Sequence, residues 1–179
     1  MPGRGKPGRQ KRFLILGLGN PIVKDDAVGL VLAPMVGRLL PENLVDVDGL
    51  CGGGLEVVER MVGYEGAAVI DAFVAADARP GEVRRFAPGA APGTHRTSFL
   101  HGIGLREALS LMREISAAVP GEVLVYGVAA REVTSFGEGL SAELQARLGE
   151  AAAVIARDLR AAWRISGPAR KKGDAGCTS

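Results

Sequence analysis

The sequence predicts an α/β fold, a single doubly wound, mostly parallel twisted sheet flanked by helices. Three observations support this prediction. Residues 13–16 form a continuous apolar run, which is typical of a strand covered on both faces. Gly17, Gly19 and Asn20 then break the run, and apolar residues recur at helical spacing after Asp26. The same alternation of strand and helix continues along the chain, which is typical of a parallel sheet.

The elements follow in a regular order. Predicted strands cover residues 13–16, 44–47, 67–70, 82–86 and 123–128, and the fourth is antiparallel or lies at an edge. Predicted helices cover residues 27–39, 55–62, 105–115 and 141–159, and Ser141 is the expected N-cap of the last one. Residues 87–100 form a long irregular stretch ending at His101. A loop of this length in a compact domain is usually functional.

Composition limits the class of protein. The chain has 179 residues, of which 47% are hydrophobic, enough for one domain with a sizeable core. We expect a single α/β domain at 12–163 between two disordered tails, a basic one at 1–11 and one at 164–179. The net charge of +2 and the 4% aromatic content argue against a nucleic-acid partner.

The cysteine content and the hydropathy of the sequence indicate the cellular compartment of the protein. The two cysteines, Cys51 and Cys177, form no CxxC motif and no disulfide framework, which fits a reducing cytosol. No stretch is long and apolar enough to cross a membrane, so no membrane partner is expected. The sequence therefore predicts a cytoplasmic protein.

Three polar residues could carry chemistry. Asp26 lies beyond the first predicted strand, Asp71 follows the third, and His101 opens a helix after the long loop. Ligands gather at the carboxyl ends of strands in open α/β sheets. Two carboxylates and one imidazole could therefore hold a divalent first-row metal such as nickel or zinc there.

Simpler interpretations of these residues exist. Asp26 could be only an N-cap, Asp71 a plain loop acid, and His95 competes with His101. Spacing alone does not choose between the histidines. A phosphate-binding loop is disfavoured, because Gly17-x-Gly19 lacks a third glycine where Ile22 stands. The glycines at 52–54 could form a substrate loop or merely a slack connection.

Several motifs in order resemble the hydrogenase maturation proteases, which trim the large subunit of [NiFe]-hydrogenases. Residues 16–20, LGLGN, and 25–29, DDAVG, resemble the opening signature of that family. Asp48-Gly49 with the glycines after it is similar to its DGGT-type loop. Further matches are VIDA at 69–72, PGEV at 80–83, HGIGL at 101–105 and GLS at 139–141. Together these motifs cover about residues 13–159.

The resemblance implies a phosphorylase/hydrolase-like fold and an endopeptidase, usually classed as aspartic-type. It would remove the C-terminal extension of a hydrogenase large-subunit precursor after nickel insertion. The metal-binding and catalytic residues of the family fall on Asp26, Asp71 and His101, and the substrate loop falls on Gly49, Cys51, Gly52 and Gly53. The nickel would be supplied by the substrate. No tightly bound cofactor is implied, and we expect a monomer.

Departures from the family pattern lie outside the three ligands. Cys51 stands near the usual Thr, Ala129-Ala130-Arg131 replaces a frequent Glu-Pro, and the basic N-terminal extension has no counterpart. Peptidyl-tRNA hydrolase is one alternative because it shares GLGNP, but its downstream histidine motif is missing here. A non-catalytic nickel-dependent docking or chaperone module is another. Neither histidine is placed beside Cys51 by the sequence, which disfavours a thiol nucleophile.

Overall fold

The computed structural model describes residues 12–88, 104–115 and 118–166. Its strands are β1 (Phe13–Leu18), β2 (Val45–Leu50), β3 (Gly66–Phe73), β4 (Val83–Phe86) and β5 (Glu122–Ala129). Its helices are α1 (Val28–Arg38), α2 (Leu55–Met61), α3 (Leu105–Glu114), α4 (Ala142–Gln145) and α5 (Leu148–Ala162). A short 3₁₀ helix, Lys24–Ala27, precedes α1.

The strands form a five-stranded sheet in the order β2-β1-β3-β5-β4. β2, β1, β3 and β5 run parallel to one another. β4 is antiparallel and lies at an edge, with Val83 opposite Val128 and Phe86 opposite Val125. The predicted fold class and the antiparallel edge strand are both confirmed.

Helices cover both faces of the sheet. On one face, apolar residues of α1 and α5 pack against Ile15, Ile70 and Tyr126. On the other, residues of α2 and α3 pack against Leu16 and Val69. All eight residues of β3 are buried, which explains its unbroken apolar sequence. The centre of the sheet is therefore dry, and polar side chains there need a specific reason.

Two glycines bring the start of α1 against the sheet. A Cβ at Gly17 would lie 2.2 Å from the carbonyl oxygen of Gly29. A Cβ at Gly29 would lie 2.2 Å from the carbonyl oxygens of Leu18 and Ile70. Only residues without a side chain permit this approach. The contact places the beginning of α1 over the carboxyl ends of β1 and β3.

Several predicted element boundaries were wrong. β1 ends at Leu18 and β2 ends at Leu50, beyond the predicted ends at residues 16 and 47. The third strand was expected to end at residue 70, but β3 continues through Asp71 to Phe73 because β5 pairs with it over that whole length. The single helix predicted at 141–159 is divided into α4 and α5. Ser141 precedes α4, but its hydroxyl makes no capping bond.

Both ends of the expected domain, residues 12 and 163, lie within the described residues. Trp163 stacks on Phe13 with ring centroids 4.5 Å apart, and Ile165, beyond the expected boundary at 163, is also buried. The tail predicted at 1–11 and residues 167–179 of the tail predicted at 164–179 lie outside the described residues. None of the helices in the described part of the chain is long and apolar enough to span a membrane.

Candidate active site

Two of the predicted site residues are buried carboxylates at the carboxyl edge of the sheet. Asp26 is 5% exposed and Asp71 is 4% exposed. Asp26 lies in the 3₁₀ helix that follows β1, and that helix packs against β3, which carries Asp71. The charge of Asp26 raises the pKa of Asp71, which places the two carboxyl groups within electrostatic range of each other. This part of the predicted constellation is brought together.

Asp26 is oriented by the glycine-rich turn. The backbone N–H of Asn20 donates to Asp26 Oδ2 over 3.0 Å. A Cβ at Gly19, which has φ of 155°, would lie 2.2 Å from the Asp26 carbonyl oxygen. The simpler interpretation of Asp26 as an N-cap does not hold, because Asp26 lies inside the 3₁₀ helix and the cap positions are Val23 and Ala27.

Asp71 is held within β3 rather than in a loop. The pairing of β1 with β3 ends at Gly17 and Ile70, and Asp71 is the next residue. Its Oδ1 accepts the Ala72 N–H over 2.8 Å. Since side chains alternate along a strand, Asp71 shares the face of Val69, which is covered by α2 and α3. The interpretation of Asp71 as a plain loop acid is therefore wrong.

The surroundings raise the pKa of both carboxyls. Burial raises the pKa of Asp26, and the Asn20 N–H offsets only part of this effect. Burial raises the pKa of Asp71 to about 7, lowered in part by the Ala72 N–H and raised further by the charge of Asp26. A cation or a proton placed between them would relieve the cost of burying two negative charges.

Asp25, the preceding residue, has the opposite environment. It is fully buried, and its carboxylate accepts four hydrogen bonds from the segment after β5. Ser141 donates its N–H to Oδ1 over 2.7 Å and its hydroxyl to Oδ2 over 3.0 Å. The N–H groups of Glu132 and Arg131 donate to Oδ2 over 3.1 and 3.3 Å. Burial alone would raise the pKa of Asp25, but these four donors outweigh it and lower the pKa.

These bonds fix the 3₁₀ helix to the segment 131–141. The Asp25 N–H also donates to the Glu132 carbonyl over 3.2 Å, and Lys24 Nζ pairs with Glu132 Oε2 at 2.5 Å. The sequence predicts ligand and capping roles for Asp26 but does not reveal this anchoring role of Asp25. Ser141 is the sequence feature that could have indicated it, because a serine hydroxyl can donate to a carboxylate instead of capping a helix.

The third predicted ligand is outside the described part of the chain. His101 and its competitor His95 both fall in residues 89–103, so the choice between them stays a prediction. Within the residues that are described, no group of three His, Cys, Asp or Glu side chains could hold a metal ion. Of the three predicted ligands, Asp26 and Asp71 lie within the described residues.

The predicted substrate loop adjoins the glycine-rich turn. Gly49 lies in β2, and Cys51, Gly52 and Gly53 follow the end of that strand. The Gly19 N–H donates to the Leu50 carbonyl over 3.3 Å, which joins the two segments. Cys51 is exposed and unpaired with any other cysteine of the described residues. The loop thus begins beside the turn that orients Asp26.

Comparison with known proteins gives the family. No curated relative matches the chain. Hydrogenase maturating endopeptidase HybD from E. coli is 23% identical, with 84% of this chain and 93% of that chain covered and a TM-score of 0.64. An endopeptidase from Escherichia coli is 22% identical, with 90% and 99% covered and a TM-score of 0.69. The [NiFe] hydrogenase maturation protease HybD from Thermococcus kodakarensis is 24% identical, with 82% and 97% covered and a TM-score of 0.60.

These structures confirm the fold, and a sequence match adds the family. The family HycI, described as hydrogenase maturation protease, matches residues 35–158. This range includes Asp71 and His101, while Asp26 precedes it. The match confirms the predicted class of enzyme, an endopeptidase, and it disfavours the peptidyl-tRNA hydrolase alternative. Because the match spans more than half of the sequence, the chain belongs to the hydrogenase maturation protease family.

Proposed function

We propose that this enzyme removes the C-terminal extension of a [NiFe]-hydrogenase large-subunit precursor after nickel insertion. It would act in the cytoplasm as a monomer and hold no tightly bound cofactor of its own. The observation that carries the proposal is the pair of buried carboxylates, Asp26 and Asp71, at the carboxyl edge of a chain that belongs to this family.

The chemistry of the pair favours a cation brought by the substrate. Both carboxyls have a raised pKa, which means that their surroundings in the free enzyme stabilise the two negative charges only weakly. Nickel already held by the precursor would supply the missing positive charge. Two carboxylates alone leave most of a metal's coordination shell to other ligands, which suits docking onto a metal that the substrate retains.

His101 is proposed as the third group that engages the nickel. Asp71 faces the side of the sheet covered by α3, and His101 stands four residues before Leu105, where α3 begins. α3 leads back to the amino end of β5, so its first residue lies toward the carboxyl edge. Gly49, Cys51, Gly52 and Gly53 are proposed to contact the substrate chain, since this loop adjoins the turn that orients Asp26.

Hydrolysis also needs a group that takes a proton from the attacking water. Burial and the charge of Asp26 raise the pKa of Asp71 in the nickel-free enzyme, and nickel would lower it again. Asp71 would then be ionised when the loaded precursor is bound, and it is our candidate for the group that accepts this proton. Substrate nickel would position the scissile bond beside it, so that the metal acts as a checkpoint for complete maturation.

The test compares precursor prepared with and without nickel. We expect chelator-treated wild-type enzyme to cleave the loaded precursor and leave the nickel-free one intact. Asp71→Asn and His101→Ala should each lower the rate by roughly 10²-fold or more. His95→Ala is the matched control and should process normally.

Three results would contradict parts of this proposal. Equal cleavage of both precursors would refute recognition of substrate nickel. Loss of activity on chelation, restored by adding zinc to the enzyme, would indicate a resident metal. Binding of the loaded precursor without any cleavage by the wild-type protein would favour a docking or chaperone module.

A further inference from the structure

A cavity of about 370 Å³ lies between α3 and the amino end of β5, away from the carboxyl edge that carries the candidate active site. Arg106, Leu109, Ser110 and Arg113 line it from one side. Their spacing places them on a single face of α3. Residues 121–124 line it from the side of β5. We call this cavity the arginine groove.

Positive charge dominates the lining of the arginine groove. Arg85, Arg106 and Arg113 line it, together with a single acidic residue, Glu122. Arg85 also pairs with Asp158 at 3.4 Å. The two arginines of α3 are exposed, and neither forms an ion pair with any residue that the structure describes. The groove therefore presents positive charge that attracts an anionic ligand.

The edge of β5 is open along the arginine groove. The Ala129 N–H donates to the Glu82 carbonyl over 2.8 Å, so the backbone of Ala129 faces the side of β4. Because backbone direction alternates along a strand, the N–H and carbonyl of Val123 face the same side. β4 ends at Phe86, opposite Val125, so no strand among the described residues pairs with Val123 there. An extended chain in the groove can hydrogen-bond to this free edge.

We propose that the arginine groove binds an acidic segment of a partner protein in an extended conformation, as an added strand beside Val123. Arg106 and Arg113 are two helical turns apart, about 10 Å along the axis of α3. About three residues of extended chain span the same distance at about 3.3 Å each. A short segment with acidic side chains on one face can therefore reach both guanidinium groups, which bind carboxylates bidentately.

The chemistry of the groove argues against other occupants. The terminal segments 1–11 and 167–179 carry more basic than acidic residues, so the arginines would repel them. Among the described residues that line the groove none is aromatic, so it lacks the stacking surface that single-stranded nucleic acids use. The open strand edge instead suits a peptide backbone. The inference is independent of the proposed function, because the groove lies away from Asp26 and Asp71.

The experiment measures binding of a short fluorescein-labelled peptide of alternating Glu and Val to the full chain by fluorescence anisotropy. Arg106→Gln/Arg113→Gln is compared with Arg79→Gln/Arg147→Gln. The control arginines line a second cavity beside β4, where two glutamates balance their charge. We expect the groove variant to raise Kd about tenfold or more, since charge-assisted hydrogen bonds are lost. The control should match wild type, and wild-type binding should weaken as salt rises.

Four outcomes overturn the proposal. The first is equal affinity of the groove variant and the control for the peptide. The second is undiminished binding of the same peptide with its backbone nitrogens methylated, because strand pairing needs those donors. The third is tighter binding of pyrophosphate or of a single-stranded oligonucleotide than of the peptide. The fourth is a wild-type dimer in sedimentation that the groove variant converts to a monomer, since the occupant would then be a second copy of this chain.

Discussion

Asp25 and Asp26 are consecutive buried carboxylates in opposite environments. Asp25 accepts four hydrogen bonds from the segment after β5, and its pKa is lowered. Asp26 accepts one bond from Asn20, and its pKa is raised, like that of Asp71. The number of donors decides the difference. Asp25 stabilises the fold around the site. The negative charges of Asp26 and Asp71 are stabilised only weakly by their surroundings, so these two carboxylates are suited to binding a cation.

The largest effect is expected when Asp25 is removed. Asp25→Ala leaves three partly buried backbone N–H groups and a hydroxyl without their acceptor, so we expect a loss on the order of 3 kcal/mol in the free energy of unfolding. Asp25→Asn should lose less, because its remaining oxygen can still accept. Urea denaturation of the full chain measures both. Equal stability of Asp25→Ala and wild type would show that the anchor contributes nothing.

The pH dependence of Asp25 sharpens this prediction. Its pKa in the folded protein lies below the usual 3.8, so its stabilising contribution is present above that value and is lost as the pH falls through the folded pKa. Asp25→Asn should therefore weaken this part of the acid dependence in urea titrations. An unchanged acid profile would contradict the lowered pKa.

A smaller effect of opposite sign is expected at Asp71. Its pKa is raised from 3.8 to about 7, so its favourable contribution is present below 3.8 and is lost as the pH rises through about 7. Asp71→Asn should thus be more stable than wild type above pH 7, by on the order of 1–3 kcal/mol, while losing activity. Thermal unfolding across pH measures this. A variant less stable than wild type at high pH would indicate that Asp71 is compensated by a group outside the described residues.

The smallest effect is expected at Cys51. This residue is exposed and lies in the predicted substrate loop, not among the buried carboxylates. Cys51→Ser should keep kcat, with at most a few-fold change in KM, as is usual for a peripheral contact. Processing assays on nickel-loaded precursor test this. A loss comparable to that of Asp71→Asn would instead support a thiol nucleophile.

The sequence by itself determined the fold class, most of the elements and the two acids at the carboxyl edge. Apolar periodicity and glycine breaks depend on local physics, and they placed β1, α1, α2, β4 and α3 within a few residues. The order of motifs along the chain identified the family, which the match to residues 35–158 confirms.

Only the tertiary structure decided the different roles of neighbouring residues. Asp25 and Asp26 look alike in sequence, and the donors that separate them come from residues 131–141, more than one hundred positions away. The pairing of Ile22 with Gly137 and the bond from the Ser141 hydroxyl to Asp25 also join residues more than one hundred positions apart, so local sequence patterns did not predict them. β3 extends past Ile70 because β5 pairs with it, not because of its own sequence. Such contacts depend on which segments folding brings together, and no local pattern records that choice.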